Sequence, residues 1–265
     1  VTKMEINDLT PIQEYPPLNI WLKRDDLYTV AGVRGAKARA CYALALKGKK
    51  HGEHRIVTAG SRHSPQMVIA AHIARELGMQ CSVHIPQGPD TEESKEASAE
   101  GAELIRHPHG YNSVIIARAR EDVQKNGGAE IPFGMVSKAG VELTAAQVDN
   151  AQIPDGVQRI VIAVGSATNL CGLLWGCRRQ AIHLPILGVV VGARPEKRLK
   201  QFAPPWWEKQ VTLVNSGVDY AEKVDAHIGN LPLDPVYEAK CLKFLRLGDL
   251  FWIIGIRNGY NVPEW

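Results

Sequence analysis

The feature that constrains this chain most is a repeated change of hydrophobic period. Short runs rich in β-branched residues alternate with longer stretches of helical pattern. The runs are "IWLK" from Ile20, "RIVTA" from Arg55, "CSVHI" from Cys81, "AELIR" from Ala102, "RIVIAV" from Arg159, "ILGVVVG" from Ile186, "VTLVN" from Val211 and "LFWIIG" from Leu250. Strand–helix–strand alternation predicts an α/β fold with parallel sheets covered by helices. The clearest helix runs from Ser64 to Gly78, with Ser64 suited to the N-cap, Pro65 to the first helical position and Gly78 to the end. Sheets of this kind bind ligands at the carboxyl ends of their strands, in the loops that lead into helices.

Bulk properties narrow the function classes. The 265 residues suffice for one large domain or two modest ones. A net charge of +3 with no run of five basic residues argues against a nucleic-acid surface. The apolar runs, such as Ile186–Ala193, are far shorter than a membrane span. No charged start followed by an apolar stretch reads as a secretory leader. The five scattered cysteines form no CxxC pair, so reduced thiols in the cytoplasm, without a bound metal, are the expectation.

Three loops carry unusual chemistry, and each also has a plain structural reading. "TAGSRHSPQ" (Thr58 to Gln66) places Ser61, Ser64 and free amides at a helix N-terminus, which attracts anions or is simply capped. "VIAVGSATNLCG" (Val161 to Gly172) runs a buried strand into Gly165, Ser166, Ala167 and Thr168. That is either a single-phosphate cradle or a tight turn. Only the first of its three positions fits GxGxxG, and no lysine sits where a Walker loop needs one. "LPLDPVYEAK" (Leu231 to Lys240) offers Asp234 as a cap for a helix beginning at Pro235, with Tyr237 and Glu238 in its first turn. Lys37 sits in the small-residue turn "RGAKA". "APPWWE" (Ala203 to Glu208) breaks the alternation; it reads as a surface loop anchored by one ring, with a partner or subunit contact as the alternative.

At this point the chain resembles a known family, the pyridoxal-phosphate enzymes of the tryptophan-synthase-β fold (fold type II). Within it, the chain is similar to the branch of 1-aminocyclopropane-1-carboxylate deaminase and D-cysteine desulfhydrase. "KRDD" (Lys23 to Asp26) followed by "GAKAR" (Gly35 to Arg39) looks like the branch's KRDD…GNK-x-R signature. "TAGSRHSPQ" is similar to its TxGGxQSNH loop, "GSAT" (Gly165 to Thr168) to its GSGGT phosphate loop, and "LDPVYEAK" to the DPVYEGK stretch of the deaminases. The matches run in order from Trp21 to about Gly259.

The resemblance implies a two-domain protein, with residues 1–40 and 128–265 forming the large cofactor-binding domain and 41–127 the small one. It implies pyridoxal 5′-phosphate joined to Lys37 as a Schiff base, with Gly35 and Ala36 leaving room for the flat ring. Gly165, Ser166, Ala167 and Thr168 would hold the phosphate, and Glu238 the ring nitrogen. Lys37, Tyr237 and Glu238 would be catalytic, and Ser61, Ser64 and Gln66 would bind the substrate. The implied activity is elimination or deamination of a small amino acid by a cytoplasmic homodimer. Several positions depart from the branch's pattern. Ala36 and Pro65 each replace an asparagine, Gln66 a histidine and Ala167 a glycine, and "IGIRNG" (Ile254 to Gly259) stands where HTGG is usual. These departures keep alive a cofactor-fold protein without turnover, or an enzyme for an unusual amine. A nucleotide-binding Rossmann protein would need an acid ending the strand after the glycine loop, and "GVVVGARPE" has none before Glu196.

Overall fold

A computed structural model describes residues 4–108 and 110–263. Among the described residues, the strands of three or more residues are β1 (Ile12–Tyr15), β2 (Ile20–Arg24), β3 (Arg55–Ala59), β4 (Gln80–Pro86), β5 (Glu103–His107), β6 (Ala129–Ile131), β7 (Arg159–Val164), β8 (Ile186–Val190), β9 (Val211–Asn215) and β10 (Asp249–Ile253). The α-helices are α1 (Ala36–Lys50), α2 (Gln66–Leu77), α3 (Glu92–Ala99), α4 (Asn112–Asn126), α5 (Lys138–Asp149), α6 (Thr168–Arg179) and α7 (Glu196–Phe202). All eight runs read as strands form strands, with ends that move by two residues or fewer. The sequence pattern missed β1 and β6, whose segments "IQEY" and "AEI" are too short and too polar to show a period.

The chain folds as two compact units. Unit 1 takes the residues up to Ile6, Thr29–Val33 and Lys37–Met135; unit 2 takes Asn7–Tyr28, Arg34–Ala36 and the chain from Val136 onward. Residues 37–40 and 128–135 thus fall in unit 1, not in the larger unit to which analogy assigned them. The reason is local. Lys37 continues into α1, and β6 pairs in parallel with β3, Ile56 opposite Ala129 and Thr58 opposite Ile131.

Unit 1 is built on a four-stranded parallel sheet in the order β5-β4-β3-β6. Its loop from Thr58 to Gln66 leads from β3 into α2. A polar ladder holds α4 to the sheet. Asp122 accepts from both terminal nitrogens of Arg55 and lies 3.1 Å from His84 Nε2, and His84 Nδ1 lies 2.9 Å from His107 Nε2. Burial pushes the Asp122 carboxyl up, but hydrogen bonds from Asn126, Arg55 and His84 outweigh it and bring the pKa down to about 2.

Unit 2 carries a six-stranded sheet in the order β1-β2-β10-β7-β8-β9, antiparallel only between β1 and β2. The central strand β7 is buried on both faces, which explains why it reads as an unbroken apolar run. Ile160, Ile162 and Val164 pack with Leu170, Leu173 and Trp252 on one side, while Val161 and Ala163 pack with Leu22, Phe251 and Leu233 on the other. Gly172 and Gly176 let α6 lie directly on α5. A Cβ on Gly172 would sit 2.5 Å from Thr144 Cβ, and one on Gly176 2.4 Å from Val148 Cβ.

The "KRDD" motif turns out to be a buried charge network within unit 2. Lys23, Arg24, Asp25 and Asp26 are all at most 1% exposed, a state charged groups adopt only when paired. Lys23 Nζ donates to Thr10 Oγ1 and to Gln147 Oε1, at 2.6 and 3.1 Å. Asp25 accepts from the indole of Trp252 at 2.9 Å. Arg24 makes a forked bond to Asp26 and reaches Gln13 at 2.7 Å. Desolvation by burial raises the Asp26 pKa even against the Arg24 charge, so removing that charge leaves a costly orphan. Arg24→Ala is therefore expected to lower unfolding stability by about 3–5 kcal/mol, read as a shift in denaturation midpoint. A loss within experimental error would show that the network carries no stability.

Candidate active site

The turn that precedes Lys37 is clamped by backbone contacts inside unit 2. Gly35 has φ +95°, and a Cβ there would lie 2.7 Å from both Gly255 Cα and Ile254 O. The next amide, Ala36 N, donates to Ile254 O at 2.8 Å. Gly35 is thus small because another backbone lies against it, which corrects the expectation that it makes room for a ring. Lys37 follows directly as the second residue of α1 and is half-buried.

Ile254 is also held through its amide. Its amide donates to Glu238 Oε1 at 3.1 Å, and Glu238 is 2% exposed. Ile254 therefore links the candidate acid to the residue before the candidate lysine. The segment from Asp234 is not an α-helix starting at Pro235. It forms a turn and then a 3-10 helix over Glu238–Phe244. Asp234 caps the turn before that helix, accepting from Val236 N at 2.9 Å and Tyr237 N at 3.1 Å, and its other oxygen lies 3.1 Å from Arg257 Nε.

Tyr237 and the 165–168 loop meet. A Cβ on Gly165 would sit 2.8 Å from Tyr237 Cε1, so the missing side chain lets the phenol ring lie against the loop. Ala167 holds φ +65° at the N-cap of α6, the left-handed region that the family's glycine adopts without strain. Ala167 offers no side-chain cap, and the first turn of α6 is the positive end of the helix dipole. Ser166 Oγ and Thr168 Oγ1 lie 3.1 Å apart at that end. This uncapped helix start with two hydroxyls fits a phosphate, and the buried Glu238 fits a ring nitrogen. The pyridoxal phosphate implied by the resemblance thus suits the residues present.

Sequence reasoning missed Tyr220 and Arg257. The Tyr220 hydroxyl lies 3.2 Å from that of Tyr237, with the rings edge-on at 71°, and Lys240 Nζ donates to Tyr220 O at 3.2 Å. Nothing in "GVDYAEK" marks Tyr220, because the partner that gives it meaning stands far along the chain. Desolvation by burial, followed by the Tyr220 dipole and hydrogen bond, pushes the Tyr237 phenol well above its ordinary pKa. Tyr237 therefore keeps its proton at physiological pH.

Ser61, Ser64 and Gln66 belong, like Lys37, to unit 1. Helix α2 begins at Gln66, with Pro65 at the cap position, one residue later than expected. Ser64 does act as the capping side chain, accepting from Gln66 N at 3.2 Å. Gln66 is buried, and its amide turns inward. Nε2 donates to Thr58 Oγ1 at 2.7 Å and Pro132 O at 3.0 Å, while Oε1 accepts from Gly134 N at 2.6 Å. Those bonds occupy both of the amide's ends, so Gln66 props the loop and is not placed to grip a substrate, as had been expected of it.

Two outcomes follow from this geometry. Ala167→Gly relieves a left-handed alanine worth roughly 1–2 kcal/mol but loosens the unfolded chain by about 0.4–1, a net gain of about 0–1.6 kcal/mol in denaturant unfolding. A destabilised variant would contradict the strained cap. In alkaline titration at 295 nm the folded protein should keep one tyrosine protonated far above pH 10, and Tyr237→Phe should remove that late step. Because the folded state then holds a proton that the unfolded chain has lost, stability falls as pH rises beyond 10.

Comparison with known proteins places this geometry. Residues 5–227 match the family described as "Pyridoxal-phosphate dependent enzyme", a match that ends before Tyr237 and Glu238. The chain is 23% identical to a D-cysteine desulfhydrase of Yersinia pestis (strain Pestoides F) over 89% of this chain and 83% of that protein. It is 24% identical to a D-cysteine desulfhydrase of Serratia proteamaculans (strain 568) over 71% of this chain and 62% of that one. The solved structure of an ACC deaminase homologue superposes with a TM-score of 0.78 at 22% identity, covering 96% of this chain and 91% of the other. A fungal L-serine ammonia-lyase from Rhizomucor miehei gives 0.63 at 13% identity, covering 94% and 93%. These likenesses agree with the fold type II resemblance read from the sequence. The chain belongs to the family of pyridoxal-phosphate dependent enzymes, and its cofactor is pyridoxal 5′-phosphate.

Proposed function

We propose that this enzyme carries out elimination or deamination of a small amino acid, in the manner named by its desulfhydrase and deaminase relatives. The observation that carries the reading is the pairing of a proton-donating Tyr237 with the buried Glu238 beside an uncapped, hydroxyl-bearing helix start. Bound pyridoxal phosphate supplies an electron sink next to the substrate's Cα.

The chain's own groups then have distinct tasks. Gly165, Ser166, Ala167 and Thr168 hold the phosphate through backbone amides and two hydroxyls. Glu238 would hold the ring nitrogen, where a retained proton would strengthen electron withdrawal. The Lys37 amine would anchor the cofactor and would be placed to move a proton at the substrate's Cα or Cβ. Tyr237, kept neutral by burial, delivers a proton to the departing group or to the substrate carbon. Ser61, Ser64 and the first amides of α2 hold the substrate carboxylate, with Gln66 bracing their loop. Loss of the substituent followed by hydrolysis yields a keto acid and ammonia. A homodimer in the cytoplasm belongs to the same proposal. No helix among the described residues is long and apolar enough to cross a membrane.

The test is spectroscopic, then chemical. Protein loaded with cofactor should show a visible absorption band that Lys37→Ala abolishes. With D-cysteine, 1-aminocyclopropane-1-carboxylate and a panel of small L-amino acids, at least one should shift the band and release a keto acid with ammonia. Tyr237→Phe should lower kcat by about 10²–10⁴-fold while the band persists, as expected for loss of a general acid. A normal band with no product from any of these substrates would favour a silent binder and sink the proposal.

A further inference from the structure

The "APPWWE" segment has a role that the amino-acid chemistry above does not use. Its two tryptophans part company. Trp207 is 7% exposed and anchors the loop in the core of unit 2, whereas Trp206 stays half-buried and lines a surface cleft. The cleft has a volume of about 420 Å³ and is lined by Arg178, Ile182, His183, Trp206, Lys209 and Gln210. Ile182 and His183 come from the connection before β8, and Trp206, Lys209 and Gln210 from the connection before β9. The cleft therefore sits at the amino edge of the parallel strands, away from the carboxyl ends where the 165–168 loop lies.

Its chemistry is one-sided. No acidic side chain lines it, and no carboxylate among the described residues lies within ion-pair reach of Arg178 or Lys209. The Arg178 guanidinium sits 5.9 Å from the Trp206 ring centroid, so a positive charge and a flat apolar face occur together. Gln210 stiffens the floor, its Nε2 donating to Ile182 O at 3.2 Å and Leu184 O at 3.0 Å. The lining thus pairs an indole for stacking with two cations and an imidazole for an anion, in a volume suited to a small molecule.

We propose that this cleft is a second ligand site, separate from the amino-acid site, that takes a small aromatic anion: a planar ring bearing a phosphate or carboxylate. Trp206 stacks the ring, and Arg178 and Lys209 hold the anionic group. The cleft also has a route to the cofactor. Arg178 stands one residue from the end of α6, and the start of the same helix forms the proposed phosphate cradle, about 15 Å away along the helix axis.

The experiment uses cofactor-loaded protein, so that the cradle is filled, and calorimetric titration. The probes are adenosine 5′-monophosphate, benzoate, adenosine and inorganic phosphate. At least one of the two aromatic anions is expected to bind saturably at one site per chain, and which of them does so distinguishes a nucleotide from a carboxylate ligand. Adenosine and phosphate should each bind at least tenfold more weakly than the bound aromatic anion. Trp206→Ala and the double variant Arg178→Ala/Lys209→Ala should each weaken binding by about tenfold or more, with the visible band of the cofactor unchanged. The proposal is overturned if neither aromatic anion binds, if phosphate alone binds as tightly, or if the variants bind as the parent does.

Discussion

The arrangement of the site rests on the backbone of one residue. Ile254, just past the end of β10, uses its amide on Glu238 and its carbonyl on Ala36. A short stretch of backbone thus fixes the acid from one element and the residue before Lys37 from another, with no side chain on the Ala36 side. Gly35 is the condition for this contact, because any larger residue would drive into Ile254–Gly255. The unusual "IGIRNG" stretch, which departs from the branch's pattern, supplies both Gly255 and the Arg257 that pairs with Asp234. The departure in sequence therefore coincides with this joint.

The buried charges of "KRDD" serve the same end at longer range. They lie at the carboxyl end of β2, which pairs in parallel with β10, Trp252 opposite Lys23 and Ile253 opposite Arg24. The indole of Trp252 bonds Asp25 two residues before Ile254. A signature that looks like active-site chemistry in the sequence is thus scaffolding that fixes where β10 ends. Buried ion pairs are an expensive way to stabilise a core, and they serve better as devices that admit one arrangement only.

Much of this was legible in the sequence, for identifiable reasons. The strands of unit 2 showed because both faces of its central strands are buried, which leaves continuous apolar runs such as "RIVIAV". The 165–168 loop showed because small residues at a strand–helix junction have few other uses. Other features depend on partners distant in sequence. Tyr220 matters only through Tyr237, and Gly35 through Gly255. The inward turn of Gln66 is decided by Thr58, Pro132 and Gly134. The helix expected at Pro235 failed for a different reason. Asp234 caps two amides wherever the chain goes next, and the segment tightens into a 3-10 helix.

Ala167 and Gln66 show how a divergent chain keeps a function's geometry while changing its residues. The first retains the left-handed turn of a glycine at a cost in strain; the second replaces a ligand-facing position with a prop. What none of this substitutes for is the covalent anchor. Sodium borohydride reduction of the cofactor-loaded protein, followed by proteolysis and peptide mass mapping, addresses it directly. A pyridoxyl group on the peptide containing Lys37, and on no other, is the predicted result. A label on a different lysine, or none on a protein that has taken up cofactor, would contradict the account at its root.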